Sequence, residues 1–477
     1  MMDHSLTGVF LGAGASYDVG MPLVWDLTAE LKAWLTIDKL KAFNLGWREQ
    51  GGGHPDQVID DFIMLLSRED MHYESILGYL EVQARRERSL AEHYHSLYSW
   101  LVEIIYFKLY FKHLQGSSFI LDHLNLYSGI RHLYEKNRPL WVFSLNHDSV
   151  VEMLAKQFSI PLFSGFKVSD MRLPRRDSQG GLVGYIQTET IDKHTLDNGA
   201  MNFPNPPEKG IYLLKIHGAL DVFTYNNGDD LLKLVPDGEA PEGVISVLKA
   251  ANEELVYVHP RAPGGKLKAL NEILYKDLDG EMQFLRRTLL SGAQKFSETG
   301  SQVLPKSMLK HFRANIRFLE KLICIGYGFG DNHVNDVLKE WLALSSTRSI
   351  EIVSPNIKAV PPCILHLAPQ VRLVRSGMTE YLDSIAGIER TEAELISKKI
   401  TAASRKIGPR ESTRIMQVFM KEEKEISKRL MLEQLELIEA TSGNGEEGIE
   451  KLALWLESRN HEVDHLNRLL ARLTIGS

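Results

Sequence analysis

Two hydrophobic periods alternate along the chain. Gly8-Val9-Phe10-Leu11 is apolar throughout and ends in Gly12-Ala13-Gly14-Ala15-Ser16, the pattern of a buried strand entering a tight turn. From Leu27 to about Leu133 the spacing becomes helical, as with Ile76, Tyr79, Leu80 and Val82, and Gly51-Gly52-Gly53-His54-Pro55 interrupts it. Strand-like runs return at Leu140–Ser144, Ile211–Ile216, Leu255–Val258, Leu322–Ile325 and Ile350–Val353. Several are apolar at every position, as strands covered on both faces are. Helical segments lie between them, so the pattern predicts an α/β fold with a Rossmann-like, mostly parallel sheet. Gln187–Pro207 and Pro236–Gly243 are polar and aperiodic and are expected to be loops, the second a small insertion or lid.

After about Gly387 the pattern is helical to the end. Ile415, Val418, Phe419, Ile426 and Leu430 mark one long amphipathic helix, stopped at Gly443-Asn444-Gly445. Ile449, Leu452, Leu456, Val463, Leu466, Leu470 and Leu473 then follow at three- and four-residue steps, with Arg459 at the one polar position of the seam. Such a seam packs within an intramolecular helical hairpin or in an oligomeric or partner interface. The expected organisation is an α/β domain over residues 1–386, with a helical insertion at about 27–135, and a helical region over 387–477.

Composition narrows the classes. The chain has 477 residues and a formal charge of −7, is 44% hydrophobic and 25% charged, and lacks the positive excess of a general nucleic-acid binder. The two cysteines, Cys324 and Cys363, exclude a disulfide framework and a four-cysteine zinc site, and suit a reducing cytoplasm. No basic region precedes an apolar run at the start, so no secretory signal is expected. The most apolar stretch, Leu97–Phe111, is broken by Glu103 and Lys108 and is too short for a membrane span.

The candidate chemistry lies where predicted strands end. Gly12–Ser16 puts small residues where a backbone can approach a phosphate, although taken singly it fits a plain strand-to-helix turn as well; Tyr17 stands where the dinucleotide fingerprint has its third glycine. Ser144-Leu145-Asn146-His147-Asp148 gathers polar side chains. Asn146 suits ribose hydroxyls or a water, and Asp148 suits either a ligand or the N-cap of a following helix. Lys215-Ile216-His217-Gly218 sets a histidine at a strand's carboxyl end, facing the crevice where α/β ligands bind, with Gly218 allowing close approach. Gly326-Tyr327-Gly328-Phe329-Gly330-Asp331-Asn332-His333 follows another strand. Its alternating glycines predict a backbone-lined pocket, and Asp331 is available to a ribose hydroxyl or to cap a helix over Val334–Leu342. There is no metal-ligand spacing such as H-E-x-x-H and no G-x-x-x-x-G-K-[ST] phosphate loop.

Taken in order, these segments resemble the nucleotide-binding framework of the sirtuin superfamily over about residues 5–385. Gly12–Ser16 resembles its Gly-Ala-Gly-x-Ser turn, Gly20-Met21-Pro22 the small-residue segment after it, Ser144–Asp148 its Thr-x-Asn-x-Asp strand end, and His217-Gly218 its catalytic His-Gly. The chain departs from the deacylating branch, lacking the four-cysteine zinc module and carrying Leu145 where a glutamine is usual. Gly326–His333 closely resembles the corresponding segment of prokaryotic sirtuin-like proteins of antiphage defence, which hydrolyse NAD. The resemblance implies catalytic roles for Asn146 and His217 and NAD-binding roles for Gly12, Ala13, Gly14, Ala15 and Ser16. It extends, less directly, to Asp148, Gly326, Tyr327, Gly328 and Asp331. It also implies NAD as substrate, no zinc, cleavage to nicotinamide and ADP-ribose, and a homo-oligomer or a partner such as a HerA-type ATPase. Two alternatives are an NAD-dependent deacylase or ADP-ribosyltransferase, and a non-catalytic NAD or ADP-ribose sensor.

Overall fold

The computed structural model describes residues 6–86, 89–198, 201–255, 270–289 and 307–391, with 394, 395 and 398. The chain divides into two compact units, Met1–Trp25 with Leu40–Glu389, and Asp26–Lys39 with Arg390–Ser477. Asp26–Lys39, at the start of the region expected as an insertion, groups with Arg390–Ser477. The amphipathic segments between Ile415 and Leu473 lie outside the described residues, as do Val256–Val258; Leu255 is buried but not in a strand.

The larger unit is built on a seven-stranded sheet of β1 (Thr7–Leu11), β2 (Leu140–Ser144), β3 (Leu162–Phe163), β6 (Ile211–Lys215), β11 (Lys321–Ile325), β12 (Ser349–Val353) and β13 (Val371–Val374). Its order is β13-β12-β11-β1-β2-β6-β3, and every neighbouring pair is parallel. The fold is therefore α/β and Rossmann-like. Alternation within each strand feeds two cores. Phe10, Phe143, Leu214 and Cys324 point to one face, where Met308, Phe312, Val337 and Trp341 cover them. Val9, Leu11, Val142, Leu213 and Ile323 point to the other, under Tyr127, Ile130, Leu154 and Tyr381. Burial on both faces is why these strands read as unbroken apolar runs.

A second, six-stranded sheet runs antiparallel throughout in the order β4-β5-β8-β7-β10-β9, with β4 (Lys167–Arg176), β5 (Leu182–Ile191), β7 (Val222–Tyr225), β8 (Asp230–Leu234), β9 (Glu272–Lys276) and β10 (Met282–Arg287). Two sequence expectations change here. Gln187–Pro207 is not all loop: Gln187–Ile191 belongs to β5, and Lys193–Asp197 forms a short helix whose first turn is capped by Asp192, which accepts from the Thr195 amide at 2.7 Å. The inward positions of β5 include Thr188, whose hydroxyl donates to the Met171 carbonyl at 2.7 Å, and this polar inward position hid the alternation. Pro236–Gly243 is not all loop either. Its end already opens the helix Glu242–Glu253, and the Asp237 amide donates to the Gly243 carbonyl at 3.2 Å.

Helices fill the region expected to be helical, over Ile37–Glu49, Asp56–Ser67, Tyr73–Arg86, Ala91–Gln115, Ser117–His123 and Ile130–Lys136. No helix among the described residues is long and apolar enough to cross a membrane.

Candidate active site

The chain leaves β1 toward β2 on one side and later returns to add β11 on the other, so the topological switch point lies between β1 and β11. In open parallel sheets the ligand crevice opens there, beyond the carboxyl ends of the strands. All four polar segments singled out in the sequence follow carboxyl ends in this part of the sheet: Gly12–Ser16 after β1, Ser144–Asp148 after β2, His217-Gly218 after β6 and Gly326–Asp331 after β11.

The two glycine-rich loops interlock through their backbones. The Gly12 amide donates to the Ile325 carbonyl at 2.9 Å, Gly14 to Gly326 at 3.1 Å, and Ala15 to Gly12 at 2.9 Å. A Cβ on Gly12 would lie 2.6 Å from the Gly326 carbonyl oxygen, and one on Gly14 would lie 2.8 Å from the Gly326 Cα. Much of the small-residue pattern thus serves loop-on-loop packing, and the amides of Gly12, Gly14 and Ala15 are already bonded within the protein. Ala13–Val19 then forms a 3-10 helix, with Ala15 and Ser16 buried.

Gly328 and Gly330 differ, since a Cβ on either would meet open space. Between them Phe329 holds a left-handed backbone with φ of 57°, unusual for a bulky residue, and Asn335 Nδ2 fixes it by donating to its carbonyl at 2.9 Å. The Tyr327 side chain is occupied within this loop. Its hydroxyl donates to Asn335 Oδ1 at 2.9 Å and lies 3.1 Å from the Asp331 carbonyl oxygen, and its ring packs on Phe10. Burial raises the phenol's pKa.

Asn146 reaches from the β2 loop to the turn after β1. Its Nδ2 donates to the Gly12 carbonyl at 3.0 Å and to Ser16 Oγ at 3.2 Å, while among the described residues none hydrogen-bonds its Oδ1. The amide is buried and oriented, with an acceptor left over. His217 is 4% exposed, and its Nε2 lies 3.1 Å from Asp331 Oδ2. The other Asp331 oxygen accepts from the amides of His333 and Val334 at 3.1 and 3.2 Å, capping the helix Asn332–Ala343. Asp331 is therefore both the cap foreseen from its position and the carboxylate facing the histidine, a pairing the sequence did not reveal. Asp148 accepts from the Val150 amide at 3.1 Å, but the N-cap of the helix Val150–Gln157 is Ser149, so Asp148 stands one residue before the cap position expected for it.

Sequence reasoning also passed over a buried ionic group behind these loops. Lys215 Nζ donates to the carbonyls of Asn146, at 3.3 Å, and Asp148, and lies 3.6 Å from Glu152. Lys233 pairs with Asp221 and stands 4.0 Å from Glu152. All four side chains are buried, two cations against two anions, so the group is formally neutral. Burial raises the Glu152 pKa against the pull of Lys215 and Lys233. It opposes the Lys233 ammonium, but Asp221 and Glu152 outweigh it and the pKa is raised. The signal was a lysine within a largely apolar run in each of two strands, the last residue of β6 at Lys215 and the next to last of β8 at Lys233.

Compared with known proteins, the chain matches no family model and no curated protein.

Proposed function

We propose that this protein is an NAD glycohydrolase, cleaving the bond between nicotinamide and ribose C1′ to give nicotinamide and ADP-ribose. The observation that carries the reading is that an Asn146 amide oriented against the turn after β1 and a His217 imidazole 3.1 Å from the Asp331 carboxylate both follow strand carboxyl ends of the same sheet. The bond breaks through an oxocarbenium-like state. Asn146 Oδ1 accepts from a ribose hydroxyl or the attacking water. His217 takes a proton as general base, and Asp331 stabilises the imidazolium that results. The open space beside Gly328 and Gly330 gives the nucleotide room against the backbone, and the Gly12–Ser16 turn is the segment proposed to meet the diphosphate.

The resemblance extends the proposal to a cytoplasmic antiphage effector that depletes NAD, assembled as a homo-oligomer or with a HerA-type ATPase. The C-terminal heptad seam is the surface proposed for assembly. Deleting residues 446–477 is expected to lower both the mass in solution and NAD turnover; an unchanged mass and unchanged turnover would remove the seam from this role.

Alanine at Asn146 or at His217 is expected to lower NAD loss by about 10²- to 10⁴-fold while leaving the circular dichroism spectrum unchanged. Wild-type rates in both folded variants would refute the assignment. Product analysis identifies the acceptor: free ADP-ribose means water, whereas acetyl-ADP-ribose or a labelled macromolecule means deacylation or ADP-ribosyl transfer.

A further inference from the structure

Three of the loops that form the site are each held from outside the sheet by one side chain of the helical insertion. Tyr127 donates its hydroxyl to the Ala15 carbonyl at 3.0 Å, in the turn after β1. His113 accepts at Nε2 from the Ser149 amide at 3.2 Å, where the β2 loop enters the next helix. Tyr106 donates its hydroxyl to the Leu220 carbonyl at 3.1 Å, in the loop that carries His217. All three side chains are fully buried, and all three bonds go to backbone atoms, so each fixes the path of a loop rather than one replaceable contact.

Two of the three side chains, Tyr106 and His113, are themselves held in the orientation they need. Asn252 Nδ2 donates to the Tyr106 oxygen at 3.0 Å, and the Arg287 guanidinium lies 4.6 Å over the Tyr106 ring. The His113 Nδ1 faces the Leu109 carbonyl at 2.8 Å and must donate there, which fixes the neutral tautomer with Nε2 as acceptor. A hydrophobic contact alone would have needed neither hydroxyl nor imidazole at these buried positions, since an unpartnered polar group there is costly.

We propose that the helical insertion is a positioning frame for the active site, with Tyr106, His113 and Tyr127 as positioning residues that set the relative placement of Asn146, His217 and the glycine-rich turn. Its catalytic consequence rests on the NAD-hydrolase reading; its structural content does not. Displacement of the insertion would loosen all three loops at once, which makes it the part of the fold through which activity can be set.

The test uses the full chain with Tyr127→Phe, Tyr106→Phe, His113→Leu and His113→Gln, the last retaining an acceptor for the Ser149 amide. Amide hydrogen exchange is expected to rise about five- to tenfold in the loop that each substitution releases: residues 13–17 for Tyr127→Phe, 145–150 for His113→Leu and 217–222 for Tyr106→Phe. His113→Gln is expected to restore protection. In NAD turnover, kcat is expected to fall about tenfold or more for each released loop, with KM within about threefold, because misplaced catalytic groups act on the transition state. Unchanged exchange in these loops, or a rise spread evenly over β1, β2 and β6, overturns the proposal. Wild-type protein that consumes no NAD refutes the hydrolase reading, and the exchange pattern then still decides whether the insertion is the frame.

Discussion

At Gly326 the backbone is left-handed, with φ of 65°, and an added Cβ would sit 2.5 Å from the Gly14 carbonyl carbon and the Ala15 amide nitrogen. Two residues later, Gly328 has nothing within 4 Å of that position. Gly326→Ala is therefore expected to cost at least about 2 kcal/mol of stability, while Gly328→Ala stays within about 0.5 kcal/mol and acts on nucleotide affinity instead. Denaturant unfolding together with NAD titration separates the two effects. Equal loss of stability in both variants would contradict this division of labour. Asn146 and His217 were legible in the sequence because each is a polar residue closing an apolar strand. The carboxylate that faces His217 was not, since Asp331 lies on a different strand's loop and its position announced a helix cap equally well. Glu152 and Lys215 were hidden for a similar reason: their pairing depends on a helix and a strand that only the folded sheet brings together.

Among the helices of the insertion, the turn at His54 joins two of them through polar contacts. Asn44 Nδ2 donates to the His54 carbonyl at 3.1 Å, Arg48 donates to the same oxygen, and the His54 Nδ1 stands 3.4 Å from the His93 Nδ1. Burial, then His93 and Arg48, lower the His54 pKa from 6.5 to about 4. The unfolded chain consequently binds more protons than the folded one between those values. The stability from this neutral imidazole is fully present above about pH 6.5 and declines as the pH falls toward 4. The melting temperature should drop across that window, and His54→Leu should flatten the drop; an equally steep profile in the variant would assign the loss to other groups. At this scale the parallel strands were readable because both their faces are buried. The antiparallel sheet was not, because its outer positions are polar or exposed, as in β4 with Lys167, Val168 and Arg172 toward solvent.

Across the larger unit, the arrangement that matters most is the one least visible along the chain: β11 returns to lie beside β1 only after β2 and β6 have been added on the far side. The order of strands brings residue 12 against residue 326 and residue 217 against residue 331. Periodicity fixes which segments are strands, but not which pair lies at the switch point. A chain emerging from the ribosome therefore carries Asn146 and His217 long before it carries the Gly326 loop or Asp331. Until β11 has been made and has docked, the turn after β1 lacks the Ile325 and Gly326 carbonyls that lock it, and the histidine lacks its carboxylate. A chain ended before residue 331 therefore has neither the lock on the turn after β1 nor the carboxylate beside His217, and NAD turnover is expected only from chains that extend past that residue.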